Sequence, residues 1–195
     1  MSVSSSTSKT LSLGDRFSDL VVIILTVVAL LAGWVYKSSV ENRSIAFKNG
    51  GLSAQTPQGW LTVEPGGNEI LHVTDLSSSG FGTTYIVESF LIEKESTFAQ
   101  AASLLTLDRG QKLTAYRVLD QKQVTVSGMQ AYEISYVYVE SNPNLTHNVY
   151  PNIVLGKDII FLNGDHALVA TYWAEKQSYE NDLGRFQKFL GSLKF

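Results

Sequence analysis

The chain has 195 residues, a formal net charge of −3 and no cysteine. The missing cysteines exclude disulfides, thiolate metal sites, a cysteine nucleophile and a lipoprotein anchor, so the core must be held together by packing alone. The mildly acidic balance gives no indication that nucleic acid or an anionic lipid surface is a partner.

The N-terminal part of the chain changes abruptly from polar to apolar. Residues 1–16 are rich in serine and threonine and have little to bury, so we predict a disordered tail. The segment 17–37 contains the uncharged run LVVIILTVVALLAGWVY, which as a helix reaches about 30 Å with Phe17 included, the thickness of a bilayer's hydrocarbon core. Phe17, Trp34 and Tyr36 lie at its two ends, where aromatic rings favour the headgroup zone. We therefore predict a single transmembrane anchor over 17–37.

Two alternatives to an uncleaved anchor are a buried core helix and a cleaved signal peptide. A core helix of this length normally has a polar face, which the run lacks. A signal peptide has a shorter apolar region followed by a small-x-small pair, whereas the pairs available here are Leu30 with Ala32 and Tyr36 with Ser38. Both observations favour the uncleaved anchor.

One face of the predicted anchor carries small or short side chains at helical spacing, namely Val22, Thr26, Ala29 and Gly33. Ala29 and Gly33 form a small-xxx-small pair, which lets a second helix approach closely, although such pairs also occur by chance in spanning helices. We expect this face to pack on another membrane-protein subunit, and residues 17–37 to contact the lipid bilayer.

The charges that flank the anchor are close to balanced, with Lys9 and Arg16 before it and Lys37, Arg43 and Lys48 after it. The positive-inside rule therefore decides little. Because a lone anchor near the N-terminus usually leaves its short tail in the cytoplasm, we expect a single-pass protein whose domain lies on the extracytoplasmic side, whether periplasmic, extracellular or lumenal.

After a short polar tether at 38–43, residues 44–195 have the length of one ordinary domain. Runs of β-branched, aromatic and alternating apolar residues predict strands. The predicted strands are 44–47, 52–55, 60–63, 70–73, 84–92, 115–119, 124–126, 132–139, 149–155, 158–162 and 167–173. Asn163-Gly164 predicts a hairpin turn before the last strand, and the loop at 77–82 is predicted to be mobile.

Two segments of the domain have a helical period. Thr97 and Gln100 form a capping box in front of an apolar face over about 98–111, made by Phe98, Ala101, Ala102 and Leu105. Ser178 is the predicted cap of a closing amphipathic helix with apolar residues Tyr179, Leu183, Phe186, Leu190 and Leu193. Antiparallel strands with helices midway and at the end predict an α+β domain, an antiparallel β-sheet with helices on both faces.

The titratable residues form no catalytic or metal-binding motif. The histidines are His72, His147 and His166, and His166 beside Asp165 gives only two adjacent ligands, too few for a metal site. No G-x-S-x-G elbow, P-loop or dinucleotide-binding glycine motif is present. We therefore expect no catalytic, cofactor-binding or metal-binding residues and no cofactor.

One aromatic group has two possible roles. Tyr132, Tyr136 and Tyr138 alternate along one predicted strand and, with Trp173, either line a ligand groove or pack in the core. Packing on the sheet face is the favoured interpretation.

The order of motifs in the domain resembles the PsbP-like family. PQGW precedes the midway helix, and a V-x-G-x-x-A-Y turn follows it at Val126, Gly128, Ala131 and Tyr132. The late strand pair LGKDIIFLNGDHALVATYWA and a final helix with a Ser-x-x-Phe tail, Ser192 and Phe195, complete the pattern. The resemblance covers about residues 44–195.

This resemblance implies an antiparallel sheet sandwiched between helices and a non-catalytic binding or assembly role. Plant and cyanobacterial members of the family are lumenal accessory proteins of photosystem II, and DcrB-like envelope proteins are similar. A spanning anchor departs from the transit-peptide or lipoprotein arrangement typical of the family, which argues against a photosystem role and suggests a bacterial relative.

Two classes of function follow. The first is a membrane-anchored, extracytoplasmic accessory, assembly or binding subunit of a larger membrane protein complex, photosynthetic or respiratory in kind. The alternative is an envelope ligand-binding protein or enzyme with an unrecognised pocket. The scattered histidines, the spread of the carboxylates over turns and helix faces, and the small-residue face of the anchor favour the first.

Overall fold

The computed structural model describes residues 13–41, 43–77, 81–140 and 151–195. Its internal contacts divide the chain into two units, Met1–Arg43 and Ser44–Phe195. Several predicted features therefore lie wholly or partly outside the described residues: the tail up to residue 12, residue 42 of the tether, the centre of the loop at 77–82, His147 and the start of the strand predicted at 149–155.

The first unit contains one helix, α1, which spans Leu13–Glu41. Within it, Leu20–Lys37 is long and apolar enough to cross a membrane, and none of it is buried. The stretch is therefore not a buried core helix. The helix begins at Leu13, before the predicted anchor at 17–37. It ends at Glu41 and so includes most of the predicted tether at 38–43.

In its described residues, the second unit contains a seven-stranded antiparallel sheet, a separate two-stranded hairpin and two helices. The hairpin consists of β1 and β2, and the sheet has the order β3-β4-β5-β9-β8-β7-β6. The element bounds are β1 Ser44–Asn49, β2 Leu52–Pro57, β3 Leu61–Thr62, β4 Glu69–Thr74, β5 Thr84–Leu91, α2 Phe98–Lys112, β6 Arg117–Val126, β7 Met129–Glu140, β8 Asn152–Asn163, β9 His166–Glu175 and α3 Tyr179–Ser192.

Helices cover both faces of the sheet. Along β9, Leu168, Ala170 and Tyr172 face the core that contains α3, whereas Ala167 and Val169 face the core that contains α2. This alternation follows from the two-residue period of a strand. The predicted α+β class, with an antiparallel sheet sandwiched between helices, is confirmed.

Two predicted breaks within strands are wrong, because β6 and β8 are each continuous. The gap predicted in β8 contains Gly156, which pairs with Tyr136 on one side and Trp173 on the other. A Cβ atom at Gly156 would overlap the ring of Tyr136. The glycine therefore allows an aromatic ring to approach the strand and does not mark a turn.

The two predicted helix caps have different outcomes. The Thr97–Gln100 capping box is confirmed, with the Thr97 backbone N–H donating to Gln100 Oε1 at 2.7 Å and the Gln100 N–H donating to Thr97 Oγ1 at 3.3 Å. Ser178 precedes α3 but makes no side-chain cap. Its hydroxyl donates instead to the carbonyl of Glu175 at 3.2 Å, because its backbone is already helical.

We expect Phe186→Ala to lower the free energy of unfolding by about 3–5 kcal/mol, and Leu183→Ala by about 2 kcal/mol, the low end for core truncations. Phe186 is fully buried against Tyr85 and Tyr172, whereas Leu183 is partly buried. Urea unfolding of the full chain measures both, with Leu119→Ala as an exposed control. A Phe186 variant as stable as the control would show that α3 does not pack on the sheet as described.

Candidate functional site

The interior between α2 and the sheet contains a group of charged and polar side chains, here called the Arg109 network. It consists of Arg109 from α2, Glu88 from β5, Tyr136 from β7, Asp158 from β8, and Thr171 and Trp173 from β9. These residues come from five elements. The network is therefore a product of the tertiary fold.

Local structure directs each member inward. Arg109 lies four residues after the buried Leu105, so the helical period places both on the face of α2 that packs on the sheet. On the sheet, Asp158 and Thr171 are directly opposite each other on β8 and β9. Side chains of such cross-strand pairs lie on the same face, here the face beneath α2.

The guanidinium of Arg109 forms hydrogen bonds with two carboxylates and a hydroxyl, and its Nη1 also lies 3.9 Å from Asp108 Oδ2. Its Nε donates to Asp158 Oδ2 at 3.3 Å, and its Nη2 donates to Thr171 Oγ1 at 3.1 Å and to Glu88 Oε1. Its Cζ also lies 5.8 Å from the centre of the Trp173 ring. Charge-assisted hydrogen bonds and a cation–π contact therefore hold the same group.

Asp158 is the acceptor at the centre of the network. Its Oδ1 accepts hydrogen bonds from the Thr171 hydroxyl at 2.7 Å and the Tyr136 hydroxyl at 3.0 Å. The Trp173 Nε1 donates to the Tyr136 oxygen at 2.6 Å. Asp158 is 0% exposed and Arg109 is 5% exposed, so these bonds replace the water that both charges lose on folding.

Burial and neighbouring charges shift the pKa values of three members. Burial raises the pKa of Glu88 above its ordinary range, against the opposing effect of Arg109. Burial alone would lower the pKa of Arg109, but Asp158 and other neighbours outweigh it, so that pKa is raised. Burial, followed by the charge of Asp158, raises the pKa of the Tyr136 hydroxyl. One cation thus faces two carboxylates in a largely dry interior.

The geometry of the network favours a structural role over a catalytic one. The guanidinium bonds to acceptors on three strands, and the central carboxylate already accepts from three donors. A substrate would have to displace bonds that hold α2 on the sheet. The network can therefore fix α2 rigidly beside a neighbouring groove.

That groove, here called the α2 groove, lies along one side of α2. One part has a volume of about 680 Å³ and is lined by Leu91, Ile92, Glu93, Ser96, Ala99, Gln100, Ser103 and Leu104. The next part has about 200 Å³ and is lined by Asn68, Glu88, Phe90, Leu104, Leu105, Asp108 and Lys112. Leu104 borders both parts, and Glu88 links the groove to the Arg109 network.

The predicted packing face of the anchor lies on α1. The Thr26 hydroxyl donates to the carbonyl of Val22 at 2.8 Å within the same helix, so it exposes no unsatisfied donor. A Cβ atom at Gly33 would meet no atom within 4 Å, so this position is open to a partner. Ala29 is exposed on the same face.

Among the described residues, His72, His166 and the tyrosines named from the sequence lie in separate places. His72 contacts Glu69 at 3.2 Å, and His166 contacts its neighbour Asp165 at 2.7 Å. Within the ranges that the structure describes, no three histidine or acidic residues are grouped so as to hold a metal. Tyr136 and Tyr138 are buried in the core and Tyr132 stacks on Phe98, as the packing interpretation predicted.

Sequence reasoning missed the Arg109 network. Arg109 continues the 101, 102, 105 stripe of α2 by one further step of four, which was the available indication that a charge belongs to the buried face. Asp158 likewise lies on the same face of β8 as the buried Val154 and Ile160, because the three positions are separated by even numbers of residues. A charge at an apolar position in both elements indicates a buried ion pair, since such charges are seldom left unpaired.

Several solved structures share the fold of this chain. CyanoP, the PsbP protein of the cyanobacterium Synechocystis sp. PCC 6803, matches with a TM-score of 0.54 and 14% identity over 77% of this chain and 91% of that one. The Pseudomonas aeruginosa protein PA94, of unknown function, matches at 0.53 and 8% over 79% and 98%. Mycobacterium tuberculosis LpqN, a protein involved in cell envelope biogenesis, matches at 0.51 and 10% over 78% and 90%.

No protein-family model and no curated protein matches the sequence. At these identities the structural matches show the fold alone. The domain has a PsbP-like fold, and the resemblance inferred from the sequence is confirmed at that level.

We expect Arg109→Met to lower the free energy of unfolding by about 3–5 kcal/mol, because it leaves Glu88 and Asp158 buried without their cation. The matched control is Arg185→Met, which removes a partly exposed pair with Asp182 and should cost no more than about 1 kcal/mol. Adding Glu88→Gln and Asp158→Asn to Arg109→Met should recover part of the loss. Equal stability of the two arginine variants in urea unfolding would contradict a buried ion cluster.

We expect a distinct pH dependence from Glu88. Its pKa in the folded protein lies above the ordinary value of 4.5, so the folded state holds the proton more tightly than the unfolded state. The tighter binding of this proton stabilises the folded state, fully so below pH 4.5. The stabilisation is lost as the pH rises through the pKa of Glu88 in the folded protein. Stability should therefore fall with rising pH more steeply in the parent protein than in Glu88→Gln.

Urea unfolding at a series of pH values from below 4.5 upwards tests the Glu88 prediction, with Glu64→Gln in an exposed loop as the control. The stability difference between Glu88→Gln and the parent should shift in favour of the variant as the pH rises. A shift in the opposite direction would mean that the Arg109 contact, and not burial, dominates the ionisation of Glu88.

Proposed function

We propose that this chain is a membrane-anchored, non-catalytic accessory or binding subunit of a larger membrane protein complex, with its domain on the extracytoplasmic side. The observation that carries the proposal is the stretch Leu20–Lys37 of α1, whose apolar side chains are all exposed. Water is a poor solvent for so much apolar surface, whereas a bilayer provides a matching environment of the same thickness.

The face of α1 with Val22, Thr26, Ala29 and Gly33 supports contact with a second membrane helix. In lipid, helices associate through close packing of small residues, since lipid tails are as apolar as leucine. Thr26 is already satisfied by its own helix, so it can enter such an interface without an unpaired hydroxyl. Ala29 and Gly33 would provide the closest approach.

A second contact would come from the domain. Anchoring confines the domain to the membrane surface, which raises its effective concentration at a partner that α1 already touches. Each contact can then be weak alone. The internally bonded Arg109 network supports a domain that binds and does not turn over a substrate.

One structural neighbour, LpqN, supports a location in the cell envelope. LpqN is involved in cell envelope biogenesis in its own organism, and CyanoP belongs to the PsbP proteins. The side of the membrane is tested by protease accessibility. Protease added to intact cells or spheroplasts should digest the domain, and digestion only after lysis would place it in the cytoplasm.

We expect two variants to lose a partner that the full protein retains in pull-downs in mild detergent. One lacks residues 1–37, and the other carries Ala29→Leu with Gly33→Leu, which blocks close helix approach. Val27→Leu with Val35→Leu adds bulk to the opposite side of α1 and should retain the partner. Circular dichroism confirms that each domain is folded.

The pull-downs separate the possible functions. Retention of the partner by both the truncated and the Ala29/Gly33 variant would exclude α1 from the mechanism. Recovery of no partner by the full protein would favour a ligand-binding protein or an enzyme instead.

A further inference from the structure

Helix α2 has apolar residues on its outer side as well as on its buried side. Leu104 and Leu107 are 54% and 62% exposed, and Leu91 at the end of β5 is 74% exposed. Leu91 and Leu104 both line the α2 groove, and Leu107 lies one turn further along the helix. A helix on the surface of a domain normally presents polar residues to water. This group of exposed leucines therefore indicates an interaction surface.

The α2 groove is long enough for a helical segment. Its lining residues on α2 run from Ala99 to Lys112, a distance of about 20 Å at the helical rise per residue. The wall is rigid, because the opposite side of α2 is held by Arg109. A preformed wall lowers the entropy cost of binding.

An added strand is not an option at this place. Strand β5, which forms the other wall, pairs with β9 along its whole length and with β4 over Thr84–Glu88. Only the end from Ser89 to Leu91 extends past the pairing with β4, and it is too short to hold an added strand. Of the common peptide-recognition modes, a helix in a groove fits this geometry, because it needs only apolar side-chain contacts.

The charges around the groove select the partner. Two carboxylates lie at its rim, from the exposed Glu93 and the half-exposed Asp108, whereas Glu88 at its base is largely buried and paired with Arg109. The ammonium of Lys112 lies 2.8 Å from Asp108, so Glu93 contributes the remaining negative charge of the rim. An acidic rim attracts lysine and arginine and repels acidic segments and anionic lipid.

We infer that the α2 groove is the docking site for an amphipathic helix of a partner protein, with leucine-like residues on one face and lysine or arginine beside them. The inference rests on the proposed function, because it names the domain's contact with the partner complex. The leucines of the groove would pack on the apolar face, and Glu93 would face the basic residues.

Photo-crosslinking of the full chain in its native membranes tests the inference. A benzoylphenylalanine is placed at Leu104 or Leu107, and at Leu119 as a control of similar exposure on β6. The two α2 positions should give a protein adduct that Leu119 does not give. Mass spectrometry should place the crosslink in a segment with apolar residues at helical spacing and adjacent lysine or arginine.

Charge reversal at the rim provides the second arm. Glu93→Lys should reduce the Leu104 adduct at least about threefold, since a reversed rim charge slows association, whereas Glu64→Lys in an exposed loop should leave it unchanged. An adduct with lipid, with a second copy of this chain or with an acidic segment would overturn the inference, and so would the absence of an adduct at both α2 positions. A partner recovered in pull-downs without these adducts would leave the proposed function intact and reject only this docking site.

Discussion

The contact between Arg109 and the two carboxylates of Glu88 and Asp158 is the interaction on which the α2 side of the domain depends. Removing three charges from water costs several kcal/mol per ion, and their mutual attraction offsets this only when the remaining hydrogen bonds are made. Here Thr171 and Tyr136 complete the acceptor shell of Asp158. The hydrogen bonds to Asp158 therefore help to offset the cost of burying these charges.

The same cluster explains how α2 holds its position. The buried face of α2 consists mainly of Ala101, Ala102 and Leu105, which offer little shape to distinguish one placement on the sheet from the next. Arg109, in contrast, finds acceptors on β5, β8 and β9 at one position only. On the opposite face, α3 is positioned by large aromatic rings, Phe186 and Phe189, packed around Tyr85. Electrostatics define one side of the sandwich and ring packing the other.

The exposed leucines of α2 lie on a helix that Arg109 fixes to the sheet. Arg109 faces the sheet, whereas Leu104 and Leu107 are exposed on α2. The domain thus has an apolar groove with an acidic rim, and α1 has an apolar surface with a small-residue face. In the proposed association, these surfaces would provide two weak contacts of different chemistry, linked in one chain, so that a large interface is not needed.

The sequence by itself determined the local features, because their physical causes lie within a few residues. The length and apolarity of α1, the capping box of α2 and the hairpin at Asn163-Gly164 follow from short-range patterns, and the motif order along 44–195 indicated the PsbP-like fold. Only the tertiary structure decided that residues 88, 109 and 158 meet. Strand β5 pairs with β9 across about half of the domain sequence, and no local period encodes which strands become neighbours. The continuity of β8 through Gly156 was likewise set by a distant ring, that of Tyr136, which requires a residue without a side chain opposite it.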